Sequence, residues 1–243
     1  MLTNCILLEA DDKNSLGGSC LNDLINMSNY LYNNINEIDN IFILTTKRIS
    51  NKNKFPKICN FKIFEDKDVL RNIVNNLTHN SQLFVLISGH GYQIKDISND
   101  EIDLFDEYIK SKNQIVLDDD LREIFILPIK KKNIKFIGIV DTCHSGTMFD
   151  LDYSYIGNKW IKDTKRDLYE VDAISIGACQ DNQLDNCDLG NIGFGGSLTV
   201  HLIDNNLVKD LFNVNKVKSV FNKLSKILIK LKQTPVLQTN KIF

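Results

Sequence analysis

The sequence predicts an α/β fold in which a mostly parallel sheet of about six strands is flanked by helices on both faces. Residues 83–87 and 134–140 are largely apolar, as expected for strands that are buried on both faces of a parallel sheet. Strand and helix patterns alternate as far as residue 90, which is the order of a doubly wound sheet. A chain of 243 residues with 43% hydrophobic content suits one such domain.

The individual elements follow from apolar residues that recur with the period of a strand or of a helix. The predicted strands cover residues 5–10, 41–46, 61–64, 83–87, 134–140, 171–179 and 233–238. The predicted helices cover residues 21–31, 69–77, 121–127 and 218–232, and a glycine-rich stretch at 193–199 opens another. Residues 92–117 lack a clear period and are predicted to form a long loop, a feature that is usually functional.

Composition and charge exclude several classes of protein. A net charge of −2 and a pI near 6.1 argue against nucleic-acid binding through phosphate contacts. The six cysteines form no CxxC pair and are expected to be reduced. The N-terminus lacks a signal-peptide pattern, and no apolar run approaches the roughly 20 residues of a membrane span. We therefore expect a cytoplasmic protein that does not contact membranes.

A cysteine follows the predicted strand 134–140 directly. Cys143 lies in the stretch 141–146, which reads Asp-Thr-Cys-His-Ser-Gly. Ligands of open α/β sheets bind beyond the carboxyl ends of the strands, so Cys143 is a candidate nucleophile. A buried structural thiol fits this position equally well, because cysteine also behaves as a small hydrophobic residue.

A histidine follows the other buried strand. His90 stands between two glycines in the stretch 88–91, and taken alone it also fits a turn without a catalytic role. The combination is more informative, because His90 precedes Cys143 by 53 residues and caspases place their histidine roughly 50 residues before the cysteine. An imidazole can activate a thiol by taking its proton. His144 is nearer in sequence, but neighbouring residues of a strand point to opposite faces, which favours His90.

Together, two motifs resemble those of the metacaspases, the caspase-fold cysteine peptidases of non-animal lineages. The motifs are Ser88-Gly89-His90-Gly91 and Asp141-Thr142-Cys143-His144-Ser145-Gly146. The resemblance covers most of the chain and implies one caspase-like peptidase domain over residues 1–243. It implies a large-subunit-like region at 1–157, a linker at 158–170 and a small-subunit-like region at 171–243.

The resemblance implies an acyl-transfer mechanism with a Cys/His dyad. Cys143 would attack the peptide carbonyl, and His90 would assist it and protonate the leaving amine. Backbone N–H groups of Gly91 and Cys143 are the expected oxyanion donors. The alternative is a catalytically silent caspase-like domain that acts as a decoy or scaffold. A nucleotide-binding α/β protein is disfavoured, since the sequence contains no GxxxxGK[ST] motif.

The resemblance also implies a pocket for the residue before the cleaved bond. It is predicted to contain Cys20, Asp23, Ser88 and Asp141. Carboxylates in that pocket favour Arg or Lys and repel an acidic substrate. From the residues alone, Asp23 also fits a helix cap and Asp141 a turn residue. The expected partners are peptides or proteins cleaved after Arg or Lys, and the enzyme is expected to be a monomer.

Acidic residues in and after the long loop suggest a cation site. Clustered carboxylates suit calcium, although composition alone favours a solvated acidic surface with residues 118–120 capping the next helix. By resemblance, an activating calcium would be bound by Asp106, Asp118, Asp119 and Asp150. No organic cofactor is expected. In the basic connector after residue 157, Lys165 and Arg166 are candidates for self-cleavage.

Overall fold

The structure is a computed structural model that describes residues 1–13, 15–99, 101–102, 104–156, 158–190 and 193–243, with the backbone alone for residues 187–190. Its strands are Thr3–Ala10 (β1), Ile38–Thr45 (β2), Cys59–Ile63 (β3), Gln82–Gly89 (β4), Tyr92–Lys95 (β5), Phe105–Lys110 (β6), Ile115–Leu117 (β7), Lys135–Asp141 (β8), Tyr153–Ile156 (β9), Lys159–Lys162 (β10), Ala173–Gly177 (β11), Cys187–Gly190 (β12), Gly193–Gly196 (β13) and Val236–Thr239 (β14). Its α-helices are Ser19–Asn34 (α1), Lys67–Asn75 (α2), Asp118–Leu121 (α3), Leu127–Lys132 (α4), Ser197–Asp204 (α5) and Val214–Leu228 (α6).

A nine-stranded sheet forms the centre of the protein, in the order β10-β9-β14-β11-β8-β4-β1-β2-β3. The six strands from β11 to β3 are parallel, whereas β14, β9 and β10 extend the sheet in antiparallel fashion. The predicted α/β class with a mostly parallel sheet is confirmed, but the predicted number of about six strands is too low. The missing strands β9 and β10 are only four residues long, which is too short to show a clear apolar period.

Helices cover both faces of the sheet, and alternate residues of each strand contribute to two separate cores. In β1, Cys5 and Leu7 pack with α1, α5 and α6, while Ile6 and Leu8 pack with α2 and the helical segment after Asp118. This alternation follows from the period of two along a strand. No helix of the described residues is long and apolar enough to cross a bilayer.

The prediction of a long loop at residues 92–117 is wrong. Strands β5, β6 and β7 form a separate three-stranded antiparallel sheet there. Only a few of its apolar side chains are buried, among them Ile109 and Val116, while Phe105 and Ile115 remain exposed. Acidic residues interrupt the alternation, and the strands are stabilised by pairing with each other, which a local pattern does not reveal.

Two further segments have regular structure beyond the predicted elements. The linker expected at residues 158–170 begins with β10, which pairs with β9 and packs Trp160 against the ring of Tyr155 with centroids 5.0 Å apart. The helical segment predicted from residue 121 already begins at Asp118. The three acidic residues 118–120 therefore form its first turn, where negative charge is favoured by the helix dipole, instead of capping it from outside.

Candidate active site

The two motifs lie at the same edge of the central sheet. Strands β4 and β8 are parallel neighbours, and Ser88 is paired with Asp141. Because parallel neighbours run in the same direction, the residues that follow them in the chain leave the sheet side by side. The structure thus places the segments that contain His90 and Cys143 next to each other, in the crevice where α/β proteins bind ligands.

Two glycines allow a close approach of the backbone around His90. A Cβ atom at Gly91 would lie 1.9 Å from the carbonyl oxygen of Cys143, so a larger residue would push the histidine segment away from the nucleophile loop. Gly89 has a φ of +152°, and a Cβ atom there would lie 2.5 Å from the backbone of Ala10 in β1. These glycines are therefore required for the packing of the motif against both neighbouring strands. The catalytic roles of His90 and Cys143, and that of Gly91 as oxyanion donor, stay predictions.

The sulfur of Cys143 accepts a hydrogen bond that the sequence analysis did not anticipate. The backbone N–H of Asp185 donates to Sγ at 3.2 Å. Burial raises the pKa of the Cys143 thiol, and this hydrogen bond acts in the opposite direction. Asp185 follows β11 in an irregular segment, and no feature of its sequence indicates that its backbone faces the sulfur.

The two histidines near the nucleophile have different environments. The Nε2 atom of His90 lies 2.8 Å from the hydroxyl of Ser15 and 3.5 Å from Oδ1 of Asp11. His144 instead makes a hydrogen bond through Nδ1 to the carbonyl of Asp181. The alternation of side chains along a strand does not distinguish the two histidines, so this part of the prediction is wrong. The strand β8 ends at Asp141, and His144 has a φ of 50°. The two rings nevertheless have different hydrogen-bond partners, which are the carbonyl of Asp181 for His144 and the hydroxyl of Ser15 for His90.

The predicted pocket residues form one buried cluster. The hydroxyl of Ser88 donates to Oδ2 of Asp23 at 2.7 Å, and the carboxyl of Asp23 is close enough to Asp141 to interact electrostatically. The buried thiol of Cys20 interacts electrostatically with Ser88 and Asp23, and burial raises its pKa. Residues from α1, β4 and β8 are thus brought together, although more than 60 positions separate Asp23 from Ser88.

Backbone N–H groups hold both carboxyls of this cluster. Gly196 donates to Asp23 at 3.0 Å, and the first residues of α5 donate to Asp141, with Thr199 N at 2.6 Å. A Cβ atom at Gly196 would lie 2.4 Å from Asp141, which explains why glycine precedes this helix. Burial raises the pKa of Asp23 well above its usual range, and the charge of Asp141 raises it further. Burial and Asp141 likewise raise the pKa of Asp185.

A buried glutamate links the nucleophile loop to the small sheet. Glu107 in β6 accepts a hydrogen bond from the hydroxyl of Thr147 and one from the side chain of Gln93 at 2.8 Å. Burial, followed by the charge of Asp181, raises the pKa of Glu107 to about 10. The three-stranded sheet therefore contacts the loop that carries Cys143 through the buried carboxyl group of Glu107.

Three of the four predicted calcium ligands lie together. One carboxylate oxygen each from Asp106, Asp118 and Asp119 lies within 4.8 Å of the others. Calcium–oxygen distances are about 2.3–2.6 Å, so one ion fits between these oxygens, and carboxylates are the ligands that calcium prefers. Burial raises the pKa of Asp118 well above its usual range, which is the consequence of concentrating acidic groups away from water.

The fourth predicted ligand contacts arginines. Asp150 is 2% exposed and forms ion pairs with Arg166 and, at 4.0 Å, with Arg122. Arg166 also pairs with Asp119, so its guanidinium bridges the acidic cluster and Asp150. The preceding residue, Lys165, donates to the backbone carbonyl of Glu101. Both candidate self-cleavage residues are thus held against the acidic region through their side chains.

Two solved structures have a fold similar to that of this chain and show its fold class. The chain is similar to a protein from Geobacter sulfurreducens with a TM-score of 0.54 and 21% identity, covering 97% of this chain and 91% of that one. It is also similar to the structure of pro-sf-caspase-1, with a TM-score of 0.51 and 10% identity over 98% of this chain and 86% of that one. The protein therefore has a caspase-like fold.

Sequence comparison then shows the family. The family model for the metacaspase, peptidase C14 domain matches residues 7–152, which is more than half of the chain. Relatives include metacaspase-1 of Schizosaccharomyces pombe, 31% identical over 59% of this chain and 33% of its own length. Metacaspase-1 of Sclerotinia sclerotiorum is 34% identical over 56% of this chain and 31% of its own length. This chain belongs to the metacaspase family, and the match spans about a third of these relatives.

Proposed function

We propose that this protein is a cysteine endopeptidase that uses Cys143 as its nucleophile and His90 as its general base and acid. The observation that carries the proposal is the pairing of β4 with β8, which brings the two motifs to one edge of the sheet. Membership of a peptidase family supports it.

The chemistry is acyl transfer in two steps. The sulfur of Cys143 bonds to the carbonyl carbon of the substrate after its proton passes to His90, and the C–N bond breaks as His90 returns that proton to the leaving amine. Water then hydrolyses the thioester. Backbone N–H groups of Gly91 and Cys143 stabilise the oxyanion, and the N–H of Asp185 stabilises negative charge on the sulfur.

The substrate residue before the cleaved bond is arginine or lysine. The buried carboxyls of Asp23 and Asp141 support this specificity, because a guanidinium or ammonium group would compensate charge that is otherwise costly to bury. An acidic side chain in their place would add repulsion between like charges.

Peptides that differ only in this residue test the proposal. We expect a fluorogenic peptide ending in Arg to be cleaved at least 100-fold faster than its Asp counterpart, and a chloromethyl ketone ending in Arg to label Cys143. Mass spectrometry of the labelled peptide identifies the site. If neither peptide is cleaved under any condition and Cys143 is not labelled, the protein is a silent caspase-like decoy or scaffold instead.

We further propose that calcium binds at Asp106, Asp118, Asp119 and Asp150. The ion would supply positive charge to carboxyl groups that repel one another. The guanidinium of Arg166 contacts two of these residues, so the ion and this side chain compete for the same carboxylates. The structure of the Arg166 segment is therefore coupled to binding of the ion.

Calorimetry on the Cys143→Ala protein measures this competition without peptidase activity. We expect Arg166→Gln to bind calcium at least about tenfold more tightly than the parent, because Arg166 pairs with both Asp119 and Asp150 and one charged hydrogen bond is worth roughly 1.5–3 kcal/mol. The control is Arg71→Gln, which removes a partly buried arginine that pairs with Asp68. An unchanged affinity in Arg166→Gln would contradict competition, and an absence of calcium binding to Arg166→Gln and to the parent would contradict the site.

Three further features of the function are inferred. Self-cleavage after Lys165 or Arg166 requires release of the segment that these side chains hold. The protein is proposed to act as a monomer. A cytoplasmic location is supported by the free thiols of Cys5, Cys20, Cys59, Cys143 and Cys179.

A further inference from the structure

We propose that Asp11 is a positioning residue for His90, whose carboxylate orients the imidazole and balances the positive charge that forms on it during acyl transfer. The inference rests on the proposed function. It starts from the order of the strands, because β1 lies beside β4 in the sheet and Ala10 is paired with Gly89. Asp11 directly follows β1, and His90 directly follows β4.

The backbone holds these two residues in register. The N–H of His90 donates to the carbonyl of Ala10 at 3.0 Å, and Gly89 allows the two chains to approach this closely because a side chain there would meet Ala10. Asp11 is held in turn by two hydrogen bonds from its own loop, Ser15 N to Oδ1 at 3.0 Å and Leu16 N to Oδ2 at 3.3 Å. The carboxylate is therefore fixed in place before substrate binds.

The side chains face each other at a site with limited access to water. Asp11 is 4% exposed, and its Oδ1 lies 3.5 Å from Nε2 of His90. This is longer than a formed hydrogen bond, but catalytic hydrogen bonds are often long in the free enzyme and tighten in the complex with substrate. Both polar contacts of His90 use Nε2, which leaves Nδ1 as the ring nitrogen for proton exchange with Cys143 and the substrate.

Charge distinguishes Asp11 from the other partner of His90. The hydroxyl of Ser15 is closer, at 2.8 Å, but it is neutral and belongs to an exposed residue. Imidazolium forms when the thiol proton moves to the ring, and a buried carboxylate stabilises that cation far more than a hydroxyl can. A similar division of roles occurs in serine peptidases, where a buried aspartate holds the imidazole and stabilises its protonated form.

Two substrates with different leaving groups separate positioning from a merely structural effect. An amide needs a proton from His90 as its amine departs, whereas an activated phenyl ester with the same Arg-ending acyl group does not. For Asp11→Ala we expect kcat/KM on the amide to fall about 30- to 100-fold, with KM nearly unchanged, because a positioning residue contributes less than the roughly 10²- to 10⁴-fold of the general acid–base group itself. The ratio of amide to ester kcat/KM should fall at least tenfold.

Matched variants complete the test. Asp11→Asn keeps the size and one accepting oxygen but not the charge, so it should also lower the ratio, and it carries the test if Asp11→Ala does not fold. Ser15→Ala removes the neutral partner of His90, so it should lower the amide rate less than Asp11→Ala does and should change the ratio of amide to ester kcat/KM by less than threefold. Equal losses on amide and ester, full activity of Asp11→Asn, or a loss in Ser15→Ala as large as that in Asp11→Ala would each overturn the proposal. If the parent protein cleaves neither substrate, the proposed function itself fails, which is a different result.

Discussion

Replacing Cys143 by alanine is expected to lower kcat/KM on Arg-ending peptides by at least about 10⁴-fold, because Cys143 supplies the sulfur of the acyl intermediate in the proposed mechanism. The rate is measured by release of a fluorophore from the peptide, and intact folding by thermal unfolding. Cys143 is half-buried and its sulfur makes one backbone hydrogen bond, so the substitution should change stability little.

Cys59→Ala is the matched control for this loss. Cys59 is also a free, half-buried cysteine, but it lies in the edge strand β3 at the other end of the parallel part of the sheet. It should retain full activity. If Cys143→Ala remains as active as Cys59→Ala, the nucleophile has been assigned to the wrong residue.

The histidine can be tested in the same assay. His90→Ala should lower kcat/KM by roughly 10²- to 10⁴-fold, the usual contribution of general acid–base catalysis. His144→Ala serves as the control because its ring is engaged with the carbonyl of Asp181, and it should have a much smaller effect. The reverse order would assign the base to His144.

The second large effect concerns specificity. Asp23→Asn is expected to lower kcat/KM on Arg-ending peptides about 100-fold, or about 2.7 kcal/mol, since removing one partner of a buried charge pair costs 2–5 kcal/mol. Asparagine retains an oxygen that can accept from Ser88 or Gly196, which limits the damage to the fold. The Asp-ending peptide, which loses repulsion, should not be impaired. A uniform loss on both peptides would show that Asp23 serves the fold and not the pocket.

The same carboxyls predict how binding depends on pH. Because the pKa of Asp23 is raised in the folded protein, this group stays protonated above the pH at which an exposed aspartate ionises. As the pH rises, ionisation of the buried Asp23 carboxyl lowers the free energy of unfolding, and a bound guanidinium offsets this loss. The affinity for an Arg-ending aldehyde inhibitor should therefore increase with pH through the raised pKa, with protons released on binding, and Asp23→Asn should weaken this dependence. Calorimetry in buffers of different ionisation enthalpy measures the proton release.

Much of the fold was predictable because its signals are local. The buried strands β4 and β8 consist of nearly continuous apolar residues, and Gly89 and Gly91 beside a histidine mark a strand end where two chains approach closely. The acidic residues 106, 118 and 119 were also identified as a group. By contrast, β5, β6 and β7 were missed, since their stability depends on antiparallel pairing with each other and little on burial.

The sequence by itself determined the α/β class, the two strand ends that carry His90 and Cys143, and the acids of the candidate pocket and cation site. Only the tertiary structure decided that Asp11 stands beside His90, that the N–H of Asp185 faces the sulfur, and that Arg166 lies between Asp119 and Asp150. The physical reason is the distance in sequence between the residues that interact. An apolar pattern specifies an element through its own neighbours, whereas these contacts join residues that are distant in sequence and depend on which strand lies next to which in the folded sheet.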